Sequence, residues 1–208
     1  MRTVRIYGTA ANLSKTPPAL DGQEVWLANN PRGYQIRLPR ALNEWTRWFN
    51  LHSRAWMLHK YPQGWKYYCE EAKGRPIYFQ KAQPEVASSL AFPREEIQRY
   101  FAIGGKPNCY FTASVCWMIA LAIYEGFGRI ELWGFALSNT KLRTGECYEW
   151  ERPAFFYWVQ QARDRGITVT YQREIEKLPF APGDPITYDG PLYGYATKPE
   201  LDWREESR

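Results

Sequence analysis

Residues Tyr110 to Phe135 read YFTASVCWMIALAIYEGFGRIELWGF, and they constrain the fold more than any other stretch of the chain. From Ala113 to Tyr124 the residues are apolar almost all round, and no charge appears before Glu125. A surface helix would carry a polar face, so this pattern predicts a helix packed on more than one side. Thr112 or Ser114 can cap its start by accepting a bond from an orphan backbone N–H. Gly126 and Gly128 fit a helix stop and a tight turn. Arg129 to Trp133 then reads as a short strand that Gly134 ends. Helix, glycine turn, strand and glycine form half of a parallel α/β unit. Ligands of such sheets lie beyond the carboxyl ends of the strands, so Gly134 and the residues after it are candidate site positions.

The other strands follow from alternation and punctuation. Thr3 to Tyr7 alternates Val4 and Ile6 with Arg5, and Gly8 closes it. The loop Gly8-Thr9-Ala10-Ala11-Asn12-Leu13-Ser14 is made of small residues. It lets a backbone come close to a phosphate or sugar, although a plain tight turn has the same composition. Glu24 to Ala28 is the second strand. Asn29 and Asn30 follow it, where an Asn amide can meet a base or ribose or simply form an Asx turn. Asn43 to His52 alternates as a strand and puts Asn50 and His52 on one face. His52 at that strand's carboxyl end is a candidate general base or phosphate partner, because its ordinary pKa lies near neutrality. A lone His also serves as a hydrogen-bonded structural residue. Ile77 to Phe79 is a further strand, 80–91 reads as a loop, and Pro93 starts a helix with acids in its first turn.

Lys106, Thr112 and Ser114 lie near the amino end of the apolar helix, where a phosphate can bind. Capping alone would also account for the two hydroxyls. The loop from Phe135 to Glu149 is long for a strand-to-helix link, and long loops inside compact domains are often functional. Pro153 fits the first turn of the next helix, which runs to about Arg165. Tyr148 and Glu151 there are candidate acid–base groups, and Arg152 is a candidate phosphate ligand. Ile167 to Thr170 is the last strand. The fold class is therefore α/β: one Rossmann-like domain over 1–176, with a mostly parallel sheet flanked by helices, and an extended tail over 177–208.

Composition narrows function only loosely. The chain of 208 residues carries a formal net charge of +5, and its 10 Trp, 15 Tyr and 10 Phe suit either a ring-rich core or a groove that stacks planar ligands. The basic balance permits phosphates, nucleotides or nucleic acid, although no dense Lys/Arg block is present. Cys69, Cys109, Cys116 and Cys147 form no close pair, and two His make no zinc set. No metal and no permanently bound cofactor are expected. The N-terminus lacks the apolar core of a signal peptide, and the apolar helix is too short to span a bilayer. The expected location is the cytoplasm, with reduced thiols.

The loop GTAANLS, the strand ending RWFNLH, and the helix–strand unit with the later YEWERP form a combination. It resembles small, uncharacterised bacteriophage proteins related to the bacterial sialyltransferase-like fold. It is also similar to archaeal hydroxymethylpterin pyrophosphokinase-like proteins. The resemblance spans most of 3–170 and implies a Rossmann-like nucleotide site and a host-cytoplasmic protein. It implies a nucleotide-dependent transferase, glycosyltransferase-like, using a nucleotide-activated donor such as a nucleotide-sugar. On that reading Gly8, Thr9, Asn12 and Asn29 meet the nucleotide, with Thr112, Ser114, Gly134 and Arg152 around its phosphate. His52, Glu151 or Tyr148 serve as acid or base. The alternative is a non-catalytic accessory protein that binds a nucleotide or DNA.

Overall fold

In a computed structural model of the chain, the described residues are 1–9, 21–29, 44–70, 74–135, 137 and 151–171. They form seven strands and five helices. The strands are β1 (Thr3–Tyr7), β2 (Glu24–Ala28), β3 (Arg47–Phe49), β4 (Ile77–Phe79), β5 (Ser89–Ala91), β6 (Arg129–Trp133) and β7 (Thr168–Tyr171). The helices are α1 (Arg54–Lys60), α2 (Pro62–Glu70), α3 (Arg94–Tyr100), α4 (Ser114–Tyr124) and α5 (Arg152–Arg163). All seven strands lie in one sheet of order β5-β4-β3-β2-β1-β6-β7, and every pairing is parallel. This is the expected Rossmann-like α/β architecture.

The order runs one way from β1 to β5, then reverses to β6 and β7 on the other side of β1. Right-handed crossovers put the connections of the two wings on opposite faces of the sheet. The packing agrees with that rule. Val4, Ile6, Trp26, Ala28, Phe49, Ile130 and Leu132 pack with the residues of α4 and α5. Tyr7, Val25, Leu27, Trp48, Ile77 and Phe79 pack on the opposite face with Met57 of α1 and Trp65, Tyr67 and Tyr68 of α2. Successive strand residues alternate between the two cores, as the two-residue period of a strand requires.

Ser114 to Ile123 of α4 are all buried, which is why the helix has no polar face. Its cap differs from expectation. Ala113 is the N-cap residue, and no side chain caps the helix. Both candidate hydroxyls are engaged elsewhere, as described below. Two further expectations change. The predicted loop over 80–91 contains β5, whose three residues Ser-Leu-Ala carry no alternation and become a strand only by pairing with β4. The predicted strand over 43–52 is confined to Arg47–Phe49. Beyond Asn50, whose N–H still bonds Tyr78 O of β4, the chain leaves the sheet and leads to Ser53, whose side chain caps α1 by accepting from the Trp56 N–H. The predicted tail over 177–208 lies outside the described residues. Among the described residues no helix is long and apolar enough to cross a membrane.

Candidate functional site

The two edges of the sheet differ in kind. At the amino edge the charges neutralise one another. Glu24 pairs with Arg2 at 2.9 Å and with Arg47 at 3.1 Å, and Arg47 pairs with Glu125 at 2.6 Å. At the carboxyl edge the chain places glycines, amides, hydroxyls and the start of a buried helix.

The glycines mark the point where the strand order reverses. The Gly8 N–H donates to Trp133 O at 2.8 Å, extending the β1–β6 ladder by one bond. A Cβ on Gly8 would lie 2.5 Å from Gly134 O and 2.7 Å from the Phe135 ring. Gly134 itself has φ 71°, a left-handed conformation that favours glycine. Two main chains thus meet here, with the Phe135 ring packed against Gly8 and half-buried Thr9 beside it.

Asn29, one strand over, is held from both faces of the sheet. Its φ is 63°. Its N–H donates to Phe49 O at 2.7 Å. Its carbonyl accepts from Trp48 Nε1 at 2.8 Å and from the Tyr68 hydroxyl at 2.7 Å. Its side-chain Oδ1 accepts from Ser114 Oγ of α4 at 3.2 Å. The carboxamide therefore ties β2 to a helix rather than closing a local Asx turn. Ser114, in turn, spends its hydroxyl proton on Asn29. Thr112 Oγ1 donates to the Glu151 carbonyl at 3.4 Å and so joins the approach to α4 to the approach to α5.

Glu151 and Arg152 are buried at the start of α5, where Glu151 is the N-cap residue. Burial, and after it the charge of Glu151, pushes the Cys116 thiol up, so Cys116 is a core thiol and not a nucleophile. His52 is stacked on Trp56 with ring centroids 3.7 Å apart and planes 19° apart. Desolvation lowers its pKa from 6.5 to about 3. At neutral pH the site has a neutral imidazole there, not a cation. Asn12 and Tyr148 lie outside the described residues. The structure thus brings together Gly8 with Gly134, Asn29 with Ser114, and Thr112 with Glu151.

Two residues of this edge were not anticipated as site residues. Asn50 is only 3% exposed and sits one residue past β3. Its N–H donates to Tyr78 O at 2.9 Å and its Nδ2 donates to the Tyr68 hydroxyl at 3.1 Å, but its buried Oδ1 has no partner among the described residues. Tyr68 of α2 links it to Asn29. A lone amide inside the apolar run Trp48-Phe49-Asn50-Leu51 was the available sequence signal, since a buried amide needs partners. Nothing local could have pointed to Tyr68. Among the described residues no group of three or more His, Cys, Asp and Glu side chains is placed to hold a metal ion.

No protein-family model matches the chain, and no curated protein matches it. Two solved structures of the sialyltransferase CstII from Campylobacter jejuni are similar to it. One, in complex with the substrate analogue CMP-3FNeuAc, aligns with TM-score 0.40 and 14% identity over 82% of this chain and 80% of the other. The second, in complex with cytidine-5′-monophosphate, aligns with TM-score 0.37 and 15% identity over 82% of this chain and 79% of the other. Phage proteins and pyrophosphokinases do not figure in these matches.

Proposed function

We propose that this chain is a nucleotide-dependent, glycosyltransferase-like transferase whose nucleotide-activated donor lies across the carboxyl edge of the sheet, where the strand order reverses at β1 and β6. The observation that carries the reading is the pairing of two features at that edge. Gly8 and Gly134 meet where the strand order reverses, and beside them a left-handed Asn29 is cross-linked to the first residue of α4. Open parallel sheets bind ligands at such reversals.

Gly8, Thr9 and Asn12 approach the ribose or phosphate. The Asn29 Nδ2 has no partner among the described residues and is offered to the nucleoside. The first turn of α4, which no side chain caps, supplies N–H groups to a phosphate, with Thr112 and Ser114 fixing its position. Arg152 holds the leaving phosphate. An acid–base group works best with a pKa near the working pH. That disfavours His52, held near 3, and makes Glu151 or Tyr148 the acid–base group of this reading. His52 then contributes a neutral ring that shapes the site. Catalysis rests on positioning and on stabilising the departing phosphate. Residues 1–176 form the nucleotide-binding domain on this reading, and truncation after 176 should leave nucleotide binding intact.

The test is a thermal-shift and calorimetric screen of nucleoside monophosphates and nucleotide-sugars, with single- and double-stranded DNA alongside. A ligand of the native state raises the melting temperature by mass action. A selective shift with one nucleotide or nucleotide-sugar, and donor hydrolysis lost in Glu151→Gln, are expected. A shift with DNA alone would overturn the reading in favour of a non-catalytic DNA-binding protein, which the net charge of +5 also suits.

A further inference from the structure

Helix α3 buries Ile97 and Gln98 and leaves Glu95, Glu96, Arg99 and Tyr100 exposed. Tyr100 is 56% exposed, yet its ring is held edge-on against Phe101 at 4.8 Å and against Tyr124 of α4 at 5.0 Å. The Tyr124 hydroxyl donates to the Glu96 carboxylate and so fixes that charge on the same helix. Glu95 and Arg99 have the spacing and order at which a helix pairs opposite charges. They do not pair here. Arg99 Nε donates instead to the Glu95 carbonyl at 3.2 Å. Among the described residues, the Glu95 carboxylate, the terminal guanidinium nitrogens of Arg99 and the Tyr100 hydroxyl have no hydrogen-bond or ion-pair partner.

The order of these residues decides what the face complements. The acids stand in the first turn and the arginine in the last. Laid parallel on a copy of itself, α3 would set acid against acid. Laid antiparallel about a two-fold axis, it sets each acidic end against the basic end of the other copy. An axis crossing between Ile97 and Gln98 brings Glu96 opposite the partner's Arg99 and Glu95 opposite the partner's Tyr100. The Tyr100 hydroxyl then donates to a carboxylate, and all four exposed side chains are met, each twice over.

We propose that α3 is a self-complementary docking surface for a second copy of this chain, with the two helices antiparallel across a two-fold axis. Glu96 pairs with the partner's Arg99, and Glu95 accepts from the partner's Tyr100. The surface is independent of the nucleotide reading, because α3 carries none of the residues assigned to that site. A helix of seven residues is about 10 Å long and covers less than a standard interface, so the pair is weak and forms at high chain concentration. Its charges are exposed, so salt weakens it further.

The experiment is sedimentation equilibrium of the full chain, from micromolar to millimolar concentration, at low and high salt. The wild type is expected to show a monomer–dimer equilibrium that salt shifts towards monomer. Arg99→Glu and Glu96→Arg each set like charges opposite one another at both symmetry-related pairs. Each should weaken self-association about tenfold or more. Mixed in equal amounts, the two variants restore both pairs and should form a heterodimer about as tight as the wild-type dimer. Tyr100→Phe keeps the ring and both charges but loses the hydroxyl, so it should also weaken the dimer, and it keeps the test open if a charge reversal unfolds the chain. A wild type that stays monomeric at millimolar concentration overturns the proposal. So does a dimer that both reversals, or Tyr100→Phe, leave as tight as before. So does a mixture that stays monomeric although each variant melts like the wild type.

Discussion

Gly8→Ala tests how tightly the two main chains meet at the point where the strand order reverses. The added Cβ would lie 2.5 Å from Gly134 O and 2.7 Å from two atoms of the Phe135 ring. Contact of a carbon with such atoms is normally about 3.5 Å or more, so roughly 1 Å must be found. The ring can turn, but the Gly134 carbonyl belongs to the chain that continues β6. Relief therefore has to separate β1 from β6 at their ends, where Gly8 N–H bonds Trp133 O. Overpacking of a close-packed site costs about 1–3 kcal/mol, and a main-chain obstacle puts Gly8→Ala at the upper end, about 3 kcal/mol. For a chain of this size that is a fall in Tm of about 6–12 °C. Gly128→Ala is the matched control. A Cβ there would meet the Met1 side chain at least as closely, but Met1 is 86% exposed and can swing away. That variant should stay within about 0.5 kcal/mol of the wild type or gain slightly from a stiffer unfolded chain. The assay is differential scanning calorimetry of the three proteins. Equal Tm values for Gly8→Ala and the wild type would refute the close approach, and equal losses in both variants would show that main-chain and side-chain obstacles are not distinguished as argued.

Three further outcomes are expected. Arg5 and Glu131 pair at 2.6 Å across β1 and β6 with side chains only 5% and 13% exposed, so Glu131→Ala should cost about 3 kcal/mol in urea unfolding by taking the paired carboxylate from the buried guanidinium and leaving it its Tyr7 bond, and Arg5→Met with Glu131→Leu should recover most of it; additive losses would contradict this. His52 has a folded pKa near 3 against an ordinary 6.5, so the unfolded chain binds the extra proton between these values. Its share of stability is intact above about 6.5 and is lost as pH falls towards 3, with a slope of up to about 1.4 kcal/mol per pH unit. Tm in His52→Gln should therefore fall less steeply with acid than in the wild type, and parallel curves would show that the ring is not held neutral. At Asn29 the positive φ should make Asn29→Ala less stable than Asn29→Gly by about 1–2 kcal/mol, whereas both should lose nucleotide affinity; equal stability would argue against the left-handed backbone.

Much of the sheet was legible because its strands announce themselves locally. Val4 and Ile6 around Arg5, and the glycines after Tyr7 and Trp133, mark β1 and β6 at their observed ends. The solid apolar run of α4 gave its burial on every side. What was not legible is set by partners far away in sequence. Ser89–Ala91 has no strand pattern and is a strand only because β4 lies beside it. Thr112 and Ser114 have the right chemistry for caps, but Glu151 and Asn29, brought in by the fold, take their protons instead. Asn29 was legible as a candidate amide, whereas its clamp by Trp48 and Tyr68 depends on α2 packing beneath β2 and β3. The neutrality of His52 comes from its desolvation against Trp56 and not from its place in the chain.

The central claim is that a nucleotide binds at the carboxyl edge between β1 and β6. The most direct measurement is a two-dimensional amide NMR titration of the labelled protein with the nucleotide or nucleotide-sugar that raises Tm most. The account expects the perturbed amides to include Gly8, Thr9, Gly134, Val115 and the Asn29 side chain, with the amino-edge residues Arg2, Glu24 and Arg47 unmoved. Perturbations centred on that amino edge, or none at saturating nucleotide, would contradict it.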